Sequence, residues 1–285
     1  MRRRGSVKQL IRRLIYTLGV ADWAHARYVR WKHAVDFQTQ SRNALLRKMG
    51  GADGLPVPSP ELVFLVTGQL GIEHFLENGR LGAECVKHVL AKNGIDLERT
   101  GAVLDFGCGC GRILRHLKSA KIPQLHGVDC NPDLIRWCKA SLPFAEFHVN
   151  TLSSGLRFFS ADTFDLIISV SVFTHLPEAL QHFWMSELVR VLRSDGTLLF
   201  TVQGGDRLHQ LTPRERQEFD MGRCVVVGKD YPGENVCSAF HPEEYVRAVL
   251  AKHLAMIDFA PSGAKDANQD IFLLRKEKFR PSEMP

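Results

Sequence analysis

The run Val103-Leu-Asp-Phe-Gly-Cys-Gly-Cys-Gly-Arg112 constrains this chain more than any other segment. An apolar stretch of strand type ends near Asp105, and glycines follow at alternate positions, 107, 109 and 111. A helical pattern is then expected from Ile113, Leu114 and Leu117. Strand, glycine turn and helix start together let backbone approach a ligand closely, because glycine carries no Cβ.

Such a turn usually serves a nucleoside-containing ligand, and glycine spacing narrows the choice. The dinucleotide fingerprint G-x-G-x-x-G needs a third glycine for helix–strand packing. Here that position is Arg112, and the third glycine falls one residue early. Asp105 would also meet a pyrophosphate at close range, whereas a ligand with a cationic amino-acid end suits an acidic turn. Leu125-His-Gly-Val-Asp129 reads as a second short strand ending in an acid, 24 residues after Asp105. A carboxylate there can accept hydrogen bonds from ribose hydroxyls. Asn131 and Pro132 follow as N-cap and first helical residue.

The D-x-G-x-G-x-G run resembles the first motif of the class I S-adenosylmethionine-dependent methyltransferases, and the resemblance spans roughly residues 80–203. Thr163-Phe-Asp-Leu-Ile-Ile-Ser-Val-Ser-Val-Phe-Thr-His-Leu-Pro177 looks like the family's fourth strand and following loop. Leu188 to Phe200 looks like its next helix end, a turn at Asp195-Gly196 and a fifth strand. The resemblance implies an α/β, three-layer Rossmann-like fold, with a seven-stranded, mostly parallel sheet ending in an antiparallel hairpin. It implies S-adenosyl-L-methionine as cofactor, held by Asp105, Gly107, Cys108, Gly109, Gly111, Asp129, Cys130, Asn150, Thr151, Ser169, Val170 and Ser171. Asn150 stands where the family often has an acid facing the adenine amino group. The Asn-Pro-Pro-aromatic signature of nucleobase-amine methylation is absent after the fourth strand.

Methyl transfer from a sulfonium needs alignment and the handling of one proton, and a base near neutrality suits an oxygen or amine acceptor. His175, just past the fourth strand, is the first candidate, and His241 the second. The seven cysteines form no C-x-x-C pair and are read as fillers, so no metal site is expected. Cysteine usage, the lack of a signal-peptide pattern and the lack of a long apolar run point to the cytoplasm.

Charge is unevenly spread. Residues 1–50 carry a net +10 within a chain of +6, leaving −4 to the remainder. In this arm Val7, Leu10, Ile11, Leu14, Ile15 and Leu18 recur at helical spacing. The segment 6–19 could pack on the protein, lie on an anionic membrane surface, or contact nucleic acid, the last ranking behind the others.

The expected organisation is a basic helical arm and Pro/Gly linker (1–60) followed by a methyltransferase domain (61–285). Within the latter lie a cofactor-binding core (80–203), a cap or substrate insertion (204–240), and a C-terminal helix and hairpin (241–275). A helix is expected from about Pro242 to Lys252, then strands near Ala255–Ala260 and Asp270–Leu274. A small-molecule or glycan-type acceptor suits the acidic core and variable cap. The alternatives are an RNA or protein methyltransferase using the basic arm, and a cofactor-binding module without turnover.

Overall fold

The structure is a computed structural model and describes residues 36–233 and 235–277, together with Arg27, Trp31 and Ala34. The expected surface contact through residues 6–19 lies outside the described residues, and of the expected arm and linker, residues 36–60 are described, with Arg27, Trp31 and Ala34. No helix among the described residues is long and apolar enough to cross a membrane.

Helices α1 (Phe37–Met49), α2 (Pro60–Thr67) and α3 (Ile72–Lys92) lead in. Strands β1 (Ala102–Phe106) and β2 (Gln124–Asp129) are followed by α4 (Pro132–Ser141), β3 (Glu146–Val149) and β4 (Phe164–Ser169). Helix α5 (Glu178–Val191) runs into β5 (Leu192–Val202). Next come α6 (Pro213–Asp220) and a small antiparallel pair, β6 (Val225–Val227) and β7 (Ser238–Phe240). A helical turn at Glu243–Tyr245 continues as a π turn at Val246–Leu250, and β8 (Ala255–Ala264) and β9 (Gln269–Arg275) close the fold.

The main sheet has the order β3-β2-β1-β4-β5-β9-β8, with β1 to β5 parallel and β9 antiparallel to both neighbours. This is the expected seven-stranded, mostly parallel sheet with a closing hairpin. Its central strands β1 and β4 are largely apolar and buried because both faces are covered there. Side chains alternate between the faces. Leu104, Ile167, Phe200 and Phe272 pack on Trp184 and Leu188 of α5 and on Val246 and Leu250. Val103, Leu166, Leu199 and Leu273 face Ala83, Val86 and Leu90 of α3. On α4, Asn131 accepts from the backbone N–H of Asp133 and Leu134, with Pro132 at the first position, as its sequence implies.

Three elements differ from expectation. The helix expected after the glycine turn is instead two short 3₁₀ turns, Leu114–His116 and Lys118–Ala120, ended by Lys121 in the left-handed region. Such turns rise about 2.0 Å per residue against about 1.5 Å in an α-helix, so this brief connection spans more of the sheet. Strand β5 begins at Leu192 and runs through the expected turn, with Asp195 at φ 63°. A shift of register opposite Phe164 and Leu166 absorbs the extra residues. The C-terminal helix is cut to the short α and π turns described.

Within the Gly/Pro-rich stretch 50–60, Leu55 and Val57 are buried. Asp53 anchors this stretch by a two-pronged pair with Arg115, Nε to Oδ2 at 2.6 Å and Nη2 to Oδ1 at 2.8 Å. The Arg115 side chain is fully buried. Removing the partner of a buried charge leaves that charge uncompensated, which typically costs about 3–5 kcal/mol. Asp53 is itself partly exposed, so Asp53→Ala is expected to lose about 3 kcal/mol, at the low end of that range, by denaturant unfolding.

Candidate active site

The carboxyl ends of β1 to β4 meet at one edge of the sheet, as ligand sites in open α/β folds do. At β1, Gly107, Gly109 and Gly111 all adopt left-handed backbone, with φ of 77°, 56° and 66°. The turn folds over β2, because the N–H groups of Gly107 and Cys108 both donate to the Val128 carbonyl at 2.8 and 2.9 Å. Gly109 N–H donates to Asp129 Oδ2 and Asn131 N–H to Asp129 Oδ1, both at 2.9 Å. Burial pushes the Asp129 pKa up, and these backbone donors pull against it. The carboxylate is thereby fixed in direction, with lone pairs to spare.

Asp105 is almost fully buried, and its Oδ2 has no hydrogen-bond partner. Burial raises its pKa to about 7; Arg112 opposes the rise and Asp129 adds to it. Asn150, at the end of β3, is also buried, with an unpartnered Oδ1, while its N–H donates to the Asp129 carbonyl at 3.1 Å. Thr151 beside it is exposed and bonds Ser154. Ser169 closes β4 with a fully buried, unpartnered hydroxyl, and Val170 is buried next to it.

Ser171 adopts φ 62°, a conformation that needs support in a non-glycine residue. That support comes from two residues the sequence reading missed, Thr201 and Gln269. Ser171 N–H donates to Thr201 Oγ1 at 2.8 Å and Gln269 Nε2 donates to Ser171 Oγ at 2.8 Å. Thr201 in turn donates to Gln269 Oε1 at 2.6 Å. No local motif marks this network, because its members come from the loop after β4, from β5 and from β9, which are distant in sequence.

Among the cysteines of the turn, Cys108 and Cys110 are buried, and burial raises both thiol pKa values. They are neutral fillers at physiological pH. Cys130 is exposed.

The two candidate histidines differ in state. His175 is partly buried, and its Nδ1 lies 2.8 Å from the Cys237 carbonyl. A carbonyl only accepts, so Nδ1 carries a proton directed at it. The His175 carbonyl also accepts from Gly233 N–H at 2.7 Å, tying the β4 loop to the segment before β7. His241 is buried against Gln181 Oε1 at 3.0 Å, and burial drops its pKa to about 3. It is therefore a weak base near neutrality.

Residues 103–196 match the family described as a methyltransferase domain. One similar solved structure is the 1,6-didemethyltoxoflavin-N1-methyltransferase of Burkholderia thailandensis, bound to 1,6-didemethyltoxoflavin and S-adenosylhomocysteine. It is 16% identical with a TM-score of 0.51, over 78% of this chain and 92% of that one. A protein from Pyrococcus horikoshii is 22% identical with a TM-score of 0.50, over 68% of this chain and 89% of that one. At such identities the likeness is one of fold. Together with the glycine turn, these findings give the chain a methyltransferase-domain match over residues 103–196 and a fold like that of S-adenosylmethionine-dependent methyltransferases.

Gly79 of α3 packs directly on the turn. A Cβ there would stand 2.5 Å from the Arg112 carbonyl oxygen. Alanine would favour the helix by about 1 kcal/mol, but overpacking against backbone costs about 1–3 kcal/mol. Gly79→Ala is expected to lower the melting temperature and weaken S-adenosylmethionine binding, both read by thermal shift with and without the cofactor.

Proposed function

We propose that the protein transfers a methyl group from S-adenosylmethionine to an oxygen or nitrogen of a small-molecule or glycan-type acceptor. One observation carries the cofactor placement: three buried polar atoms without partners, Asp105 Oδ2, Asn150 Oδ1 and Ser169 Oγ, lie at the carboxyl ends of β1, β3 and β4, with Asp129 at the end of β2 between β1 and β3. Unpartnered buried polar atoms are costly, and sites of this kind are completed by a ligand. The group fits, because a nucleoside bearing an ammonium and an adenine amine supplies the missing donors. In this reading Asp105 faces the ammonium, Asp129 accepts from the ribose hydroxyls and Asn150 Oδ1 accepts from the adenine amine. Gly107, Cys108, Gly109 and Gly111 supply the close backbone, and Cys130, Thr151, Ser169, Val170 and Ser171 border the site.

When bound, the cofactor supplies an electrophilic methyl on a sulfonium. The chain's own part is alignment and proton handling. His175 Nε2 takes the acceptor's proton, its tautomer set by the Cys237 carbonyl. The segment before β7 is tied to the loop after β4 by Gly233 N–H donating to the His175 carbonyl. The segment 204–240 has a small core of Leu208, Leu211, Val225 and Phe240 and is joined to β5 by His241 N–H donating to the Gln203 carbonyl at 2.8 Å. The net negative charge of residues 51–285 favours a compact acceptor over a polyanion.

S-adenosylhomocysteine release should be screened against hydroxylated and amine small molecules, oligosaccharides, RNA and protein. Release with small acceptors or oligosaccharides is expected; release with RNA or protein alone would overturn the acceptor assignment. His175→Ala should keep cofactor affinity and lose turnover by about 10²–10⁴-fold, and unchanged turnover would remove it from the mechanism.

The Asp105 assignment has a definite pH signature. A carboxyl with pKa raised to about 7 must lose its proton before it can face an ammonium. Affinity for S-adenosylmethionine is therefore full on the alkaline side and falls as pH drops through about 7, by up to about tenfold per unit. Calorimetry across that range should show the slope in the natural protein and a flat, weak profile in Asp105→Asn.

A further inference from the structure

The face of β2 and β3 opposite α4 carries a group of side chains that methyl transfer does not use. The strands pair with His126 opposite Glu146 and Val128 opposite His148. His126, Glu146 and His148 therefore project from the same face of two adjacent strands. Glu146 Oε2 lies 3.7 Å from His126 Nδ1 and 3.9 Å from His148 Nε2, and the three atoms lie within 4.8 Å of one another.

Aromatic packing explains the rings but leaves their nitrogens unsatisfied. Phe159 and Phe164 meet His126 edge-on, and Phe158 stacks on His148 at 4.9 Å. Yet His126, only 9% exposed, has an Nδ1 with no hydrogen-bond partner, and His148 Nε2 is likewise buried and unpartnered. Leaving such an atom unpaired costs about 1–3 kcal/mol, and here two of them point toward the same carboxylate.

We propose that His126 Nδ1, the Glu146 carboxylate and His148 Nε2 form a binding site for a borderline divalent cation, zinc, with water as the fourth ligand. Zinc takes such N and O donors at about 2.0–2.1 Å, which sets ligand atoms about 3.3 Å apart in a tetrahedron. The two distances to Glu146 exceed that by about half an ångström. The Glu146 side chain is 75% exposed and free to close the gap, and the partly exposed His148 ring can turn toward His126. Burial lowers both histidine pKa values, so both rings are in the neutral form that binds metal. Magnesium and calcium prefer all-oxygen sets, whereas two imidazoles suit zinc or cobalt. The site would clamp β3, a short strand at the sheet's edge, to β2. It would thereby hold the strand that ends at Asn150.

The test uses the metal-stripped full chain titrated with Zn²⁺ by calorimetry and with Co²⁺ by visible absorption. One equivalent is expected, with tetrahedral cobalt bands, no thiolate-to-cobalt charge transfer and a zinc-induced rise in melting temperature. Glu146→Gln, an exposed change that leaves the fold intact, should weaken binding at least about tenfold, and His148→Gln should abolish it. Thiolate charge transfer, no saturable binding, or equal affinity in the natural protein and Glu146→Gln would overturn the proposal.

Discussion

The carboxylate of Asp129, held by the N–H groups of Gly109 and Asn131, is the interaction on which the site depends. It joins three things that a sequence lists separately: the glycine turn after β1, the end of β2 and the start of α4. Left-handed backbone at Gly107 and Gly109 is what aims the Gly109 N–H at β2. Without that turn the acid would be a solvated strand end of ordinary pKa. With it, burial and backbone donors oppose each other, and the carboxylate keeps one orientation.

Order in the sheet follows from the same region. Gly107 and Cys108 donate to Val128, so the crossover from β1 is tied to its parallel neighbour before the chain leaves the sheet edge. Asn150 then hangs from the Asp129 carbonyl, carrying the tie to β3. The strand ends are thus linked by backbone contacts, while the side-chain atoms Asp105 Oδ2 and Asn150 Oδ1 beside them are buried without hydrogen-bond partners.

What could be read from the sequence was local. The glycine spacing, the acid ending β2, the Asn-Pro helix start and the apolar β4 each rest on a few neighbouring residues, and each has its structural counterpart. What could not be read was either long-range or a matter of length. The 3₁₀ turns after Gly111 share the apolar spacing of a helix, so periodicity cannot separate them. The support of Ser171 by Thr201 and Gln269 joins β4, β5 and β9. The two histidines looked alike in sequence, yet one donates to a carbonyl at a partly exposed position while the other is sealed against Gln181. Burial, not residue type, sets them apart.

Arg112 occupies the position where a dinucleotide-binding turn needs its third glycine, and the structure shows how the packing problem is solved instead. The close approach between turn and helix is made possible from the other side, by Gly79 of α3, which leaves room for the Arg112 carbonyl. The arginine side chain is then free for other work. Its Nη1 donates to the Asn78 carbonyl at 3.0 Å and pairs with Asp266 at 2.8 Å, where the Asp266 side chain is fully buried. It thus ties the turn to both α3 and the closing hairpin. Its positive charge also lowers the Asp105 pKa, partly offsetting burial and keeping that carboxyl close to the ionised form. A glycine at 112 would supply neither tie nor charge, so the departure from the dinucleotide pattern is part of how this turn accommodates an acid.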